Sequence, residues 1–83
     1  LPKILEKGGQ ISLLAERLKQ AREAKGLSQS ECARRTGASQ AAYCYYEQGL
    51  RTPSSQMLIR IADLLDVSLD WLVGRSDKEK TED

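Results

Sequence analysis

Two short helical stretches, each opened by a serine and closed by a glycine, constrain this chain more than any other feature. Ser28-Gln29-Ser30-Glu31 has the pattern of a capping box, in which the Ser28 hydroxyl accepts from the Glu31 amide and the Glu31 carboxylate reaches back to Ser28. A helix starting there runs through Ala33 and Arg34 until Gly37 stops it. Ser39 then caps a second helix that continues to Glu47 or Gln48 and ends at Gly49. The helices at 28–36 and 39–48 are joined so tightly that they must cross at a steep angle and cannot form a long antiparallel hairpin. Ala33, facing the turn, and Gly37, free to take positive φ, suit the close approach this demands.

The flanking segments also read as helical. Leu1–Gln10 ends in Gly8-Gly9 and is expected to be a flexible arm. Ile11, Leu14, Leu18 and Ala21 form an apolar stripe at helical spacing, so a first helix is expected over about Leu13–Lys25, with Ser12 as N-cap and Gly26 as stop. Beyond the loop Leu50–Pro53, Leu58, Ile61, Ala62 and Leu65 mark the buried face of a fourth helix. Ser68 caps a short fifth one holding Leu69, Trp71 and Leu72, stopped by Gly74. Ser76–Asp83 is nearly all charged or polar and is expected to be a disordered tail. The expectation is an all-α, compact five-helix bundle over residues 11–75, with no strand and no internal repeat.

Composition narrows the function. Eighty-three residues make one domain, with a core of aliphatic side chains because Phe is absent and Trp occurs once. Cys32 and Cys44 without any histidine cannot complete a four-ligand zinc site, so no metal or cofactor is expected, and Cys32 reads as a small buried residue. No apolar run suits a membrane span or a secretory signal, which points to a cytoplasmic protein. The net charge is only +1, but it is unevenly spread. Residues 13–52 carry seven basic and four acidic side chains, and residues 53–83 four basic and seven acidic. A phosphate-facing surface would lie in the first part.

On the third helix, Ser39, Ala42, Tyr43 and Tyr46 share the side expected to face the core. The other side presents Gln40, Ala41, Cys44, Tyr45 and Gln48. That outward strip is almost uncharged in a chain whose residues are 30% charged, as a surface meant for base edges would be. The stretch LSQSECARRTGASQAAYCYYEQGLRTPS resembles the Cro and phage-repressor (XRE-like) family of helix-turn-helix domains. The resemblance rests on Ser28-Gln29, Ala33, Gly37, Ser39 and Tyr46-Glu47-Gln48-Gly49. It continues through Pro53-Ser54 and Ile61–Gly74, so that it covers about Leu14–Gly74.

The resemblance implies a lambda-repressor-like DNA-binding fold and a sequence-specific regulator of transcription, a repressor by analogy, that reads the major groove of double-stranded DNA. It implies roles residue by residue. Gln40 would read a base, since a glutamine amide pairs bidentately with adenine N6 and N7. Ala41 and Tyr45 match further groove-facing positions, Ala41 against a thymine methyl and Tyr45 against a base edge or a phosphate. Gln29, Ser39, Cys44, Arg51 and Thr52 match positions on the DNA backbone, with Gln29 also bracing the recognition helix. Arg22 and Glu47 resemble a structural pair tying the first helix to the end of the third. Tyr43, Tyr46 and Cys32 depart from the family's usual side chains in a way that conserves core volume.

A domain this small covers one half-site, so a homodimer on DNA is expected, with some of Leu64, Leu69, Trp71 and Val73 as candidate contacts and burial within the monomer as the equal alternative for Trp71. The alternative is a protein-interaction module, antitoxin-like or an accessory factor, that keeps the fold without specific DNA readout. Catalysis is not expected: there is no histidine, no nucleophile elbow, no phosphate loop and no inward pair of carboxylates.

Overall fold

A computed structural model of the chain describes residues 9–80, with side chains from Leu13 onward. The described residues form five helices: α1 (Gly9–Ala24), α2 (Gln29–Thr36), α3 (Gln40–Gln48), α4 (Ser55–Leu65) and α5 (Leu69–Leu72). Four serines set the starts of the last four. The hydroxyls of Ser28, Ser39, Ser54 and Ser68 accept from the amides of Glu31, Ala42, Met57 and Trp71 at 3.0, 3.0, 3.1 and 2.9 Å. Each bond satisfies one of the amides that a helix leaves without an internal partner at its start.

Gly37 takes φ +84 and donates its amide to the Ala33 carbonyl, ending α2 and turning the chain into α3. The end of α4 is made differently, by Asp66 at φ 59. Aspartate is one of the few residues besides glycine that occupy the left-handed region at modest cost.

The helices enclose one aliphatic core with two tyrosines in it. Leu14, Leu18 and Ala21 from α1 meet Cys32 and Ala33 from α2, Tyr43 and Tyr46 from α3, Ile61, Ala62 and Leu65 from α4, and Trp71 and Leu72 from α5. α3 packs on α1 and α2, while α4 packs on α2 and α5. The rings of Tyr43 and Tyr46 meet edge to face, with centroids 6.0 Å apart. Cys32, fully buried beside them, fills the volume the large rings leave on α2. The recognition-like helix is therefore fixed from behind by rigid groups.

Four expectations about the helix starts are corrected. α1 begins at Gly9, not Leu13, so it starts inside the segment read as an arm, and Ser12 lies within the helix instead of capping it. The rest of that arm, residues 1–8, lies outside the described residues. Glu31 does not reach back to Ser28; its carboxylate is taken by Arg34 and Arg35, one turn further along α2, so only half of the capping box forms. Ser39 is exposed, because a capping hydroxyl turns toward its own helix end and not toward the core.

Residues 76–80 of the expected disordered tail fold back on the bundle. Arg17 donates to the carbonyls of Trp71 and Ser76, and its guanidinium lies 4.8 Å from the centre of the Trp71 ring. The Ser68 amide donates to the Glu79 carbonyl, and Lys80 pairs with Asp66 at 3.1 Å. Trp71 is thereby buried within the chain, and of the apolar residues expected at a dimer contact Leu69 is the most exposed. Residues 81–83 lie outside the described residues.

Candidate nucleic-acid interface

α3 has one buried face and one open face. Tyr43 and Tyr46 point into the core and Ala42 is half-buried against it. Gln40, Ala41, Tyr45 and Gln48 are exposed, with Tyr45 at 41%. Gln40 is the first residue of the helix, at the end that a helix-turn-helix directs toward base edges. Arg51 and Thr52, past the Gly49 cap, are exposed as well. Residues distant in role but close along the chain are thus gathered around one helix.

The acid of this segment is turned away from the open face. Glu47, with its side chain only 3% exposed, accepts from Arg22 Nε at 2.6 Å and from Arg22 Nη2 at 3.1 Å. Arg22 also donates to the Leu27 carbonyl at 2.8 Å, so one guanidinium joins α1, the loop before α2 and the end of α3. The hydrogen bond to Glu47, opposed by burial, raises the pKa of Arg22 above its ordinary value. Bidentate geometry and multiple donors are what a desolvated ion pair needs to offset the loss of water.

Gln29 extends this network. Its Nε2 donates to Glu47 Oε1 at 2.9 Å, and its Oε1 accepts from the Cys44 thiol at 2.9 Å. Gln29 therefore spans the two helices of the turn, and Cys44, half-buried, has its thiol directed at Gln29. The bond between Cys44 and Gln29 was not legible in the sequence: the resemblance puts both positions on the DNA backbone and has Gln29 brace the recognition helix, without naming Cys44 as its partner. Beneath it, the buried Tyr43 hydroxyl has no well-formed hydrogen bond, although Glu47 and Cys32 lie close enough to influence it. Burial, followed by the charge of Glu47, raises its pKa, and burial likewise raises that of the Cys32 thiol. Both groups stay neutral.

Arg51 and Tyr45 form a second feature that sequence reasoning missed. The guanidinium carbon of Arg51 lies 5.5 Å from the Tyr45 ring centre, within the range of a cation–π contact. Gly49, at φ 76, turns the chain at the helix end and brings Arg51 back over the preceding turn. That turn was the available clue.

Comparison with known proteins agrees with this geometry. A family model described as "Helix-turn-helix" matches residues 18–72, well over half of the chain. YqaE of Bacillus subtilis (strain 168), named an uncharacterized HTH-type transcriptional regulator, is 41% identical over 68 residues, covering 82% of this chain and 59% of YqaE. RstR of Vibrio cholerae, a cryptic phage CTXphi transcriptional repressor, is 39% identical over 62 residues, covering 75% of this chain and 55% of RstR. The chain thus spans little more than half the length of these curated relatives. Among solved structures, SinR, described as the master regulator for biofilm formation and crystallised in complex with DNA, superposes with a TM-score of 0.67 at 38% identity, over 71% of this chain and 95% of that one. With the matched segment running from within α1 to the end of α5, this chain belongs to the Cro and phage-repressor (XRE-like) helix-turn-helix family.

Proposed function

We propose that this chain is the DNA-binding domain of a transcriptional repressor that inserts α3 into the major groove of a double-stranded operator. The observation that carries the reading is the open face of α3. It offers amide, methyl and ring groups, while Glu47, which would repel phosphate, is turned inward and neutralised by Arg22. The relatives' names and the SinR–DNA complex support the same assignment.

Within it, Gln40 and Ala41 read base edges and Tyr45 lies beside them in the groove. Gln29, Ser39, Cys44, Arg51 and Thr52 lie toward the sugar-phosphate backbone. Gln29 retains one Nε2 hydrogen beyond the one given to Glu47. Two copies acting as a homodimer would place their α3 helices one turn of DNA apart, about 34–36 Å. Exposed Leu69, with the half-buried Leu64 and Val73 near it in sequence, supports contact between copies. The protein acts in the cytoplasm by binding and not by catalysis; among the described residues no helix is long and apolar enough to cross a membrane.

The test is selection of bound sequences from a random duplex pool, followed by titration of the enriched duplex at several salt concentrations. The proposal expects a shared sequence to emerge and log affinity to fall linearly with log salt, by about 0.9 per phosphate neutralised. Binding with neither enrichment nor a salt slope would leave only a protein-interaction role.

A further inference from the structure

We infer that Tyr45 acts on DNA through Arg51, as a platform that holds the guanidinium toward a backbone phosphate, and not by reading a base edge. The inference rests on the DNA-binding reading above and assigns a different division of labour within that surface. Its basis is the contact between the two side chains, 5.5 Å from guanidinium carbon to ring centre, at the exposed C-terminal end of α3.

Three observations favour a phosphate clamp. First, Arg51 forms no hydrogen bond or ion pair with any described residue, so its N–H donors remain available. A guanidinium lying over an aromatic face keeps its edge donors directed outward, in the fork geometry that suits phosphate oxygens. Second, the nearest acid in sequence, Glu47, already receives Arg22 and Gln29 and is almost wholly buried. It cannot neutralise Arg51, which remains a net positive charge at the end of an uncharged strip. Third, the pair sits at the opposite end of α3 from Gln40. In a helix-turn-helix the N-terminal residues of the recognition helix reach the base edges, so the far end lies nearer the groove wall. A long, freely rotating arginine in a loop would lose conformational freedom on gripping phosphate, and stacking on Tyr45 removes part of that loss in advance.

The experiment is a double-mutant cycle measured on the duplex enriched by the wild-type chain and on duplexes with single base-pair changes. Tyr45→Phe keeps the ring and is expected to bind within about twofold of wild type, whereas Tyr45→Ala is expected to weaken binding about two- to fivefold, the span of an exposed cation–π contact. That loss should be equal on every duplex and should vanish when Tyr45→Ala is made in an Arg51→Ala chain. Tyr45 is exposed and alanine favours helix, so the variant folds, which a thermal melt of each protein verifies. A loss that persists in the Arg51→Ala background overturns the inference, as does a Tyr45→Phe change that alters preference at one base pair. If the wild-type chain itself shows no salt-dependent binding, the DNA-binding reading fails, a result distinct from either of those.

Discussion

Removing the Glu47 carboxylate should damage this domain more than the loss of any surface charge. Glu47→Ala deletes the acceptor of three donors: Nε and Nη2 of Arg22 and Nε2 of Gln29. The Arg22 side chain, 12% exposed, would keep the Leu27 carbonyl at 2.8 Å and, as its nearest acid, the exposed Glu23 carboxylate at 4.0 Å. Breaking a buried ion pair by removing one partner costs about 3–5 kcal/mol, because the remaining charge is uncompensated. The lower end applies here, since Arg22 retains one hydrogen bond and some water access.

A loss of about 3 kcal/mol is a large share of the roughly 5–15 kcal/mol that stabilises a typical domain. It corresponds to a fall in Tm of about 12–24 °C for a chain of this size. Trp71 is the only tryptophan and is buried, so urea unfolding followed by its emission is a direct assay. Arg22→Met combined with Glu47→Leu removes both charges and keeps apolar volume, so the double variant should recover to within about 1 kcal/mol of wild type. A loss under about 1 kcal/mol for Glu47→Ala, the scale of exposed pairs, would refute the reasoning.

Three further outcomes follow from the geometry. Gln40→Ala should cost about 1–3 kcal/mol on the preferred operator and little on a duplex changed at the base pair it reads, as competition titrations would reveal. Gly37→Ala should lower stability by about 1–2 kcal/mol in denaturant unfolding; the cost comes from φ +84, because an added Cβ would meet only the end of Arg60 at 3.4 Å. The hydrogen bond from Lys80, with its charge, lowers the Asp66 pKa. That contact therefore stabilises the fold above the ordinary carboxylate pKa and is lost as pH falls through the depressed folded value. Asp66→Asn, which keeps a residue tolerant of positive φ, should lower Tm slightly at neutral pH and flatten its acid limb, so that variant and wild type converge at low pH in melts across the pH range.

The parts of the fold that were legible are those written locally. Ser28, Ser39 and Ser68 as caps, and Gly37 and Gly49 as stops, needed only neighbouring residues to act, and each ends or begins a helix as read. The open and closed faces of α3 followed from helical spacing, since Tyr43 and Tyr46 fall on one side and Gln40, Ala41 and Tyr45 on the other.

What stayed hidden depends on contacts between distant segments. Gly8-Gly9 looked like a break, yet α1 already includes Gly9, since a propensity penalty of about 1 kcal/mol is only a weak prior against helix. The charged tail docks through the backbone carbonyls of Ser76, Lys78 and Glu79, which no side-chain pattern advertises. Arg17, which receives that tail, stands in the sequence only as one of the seven basic side chains of residues 13–52. The Gln29–Cys44 bond and the Tyr45–Arg51 stack depend on the crossing of α2 with α3 and on the turn at Gly49. The sequence carries the residues for both but not the angles.

The central claim is that α3 presents its open side to DNA, and amide chemical-shift mapping during titration with the enriched duplex tests it most directly. The account predicts that the largest changes fall on Gln40, Ala41, Tyr45 and Arg51, with those of Gln29 and Thr52 next. Changes concentrated on α5 and the docked segment 76–80, with α3 silent, would contradict it.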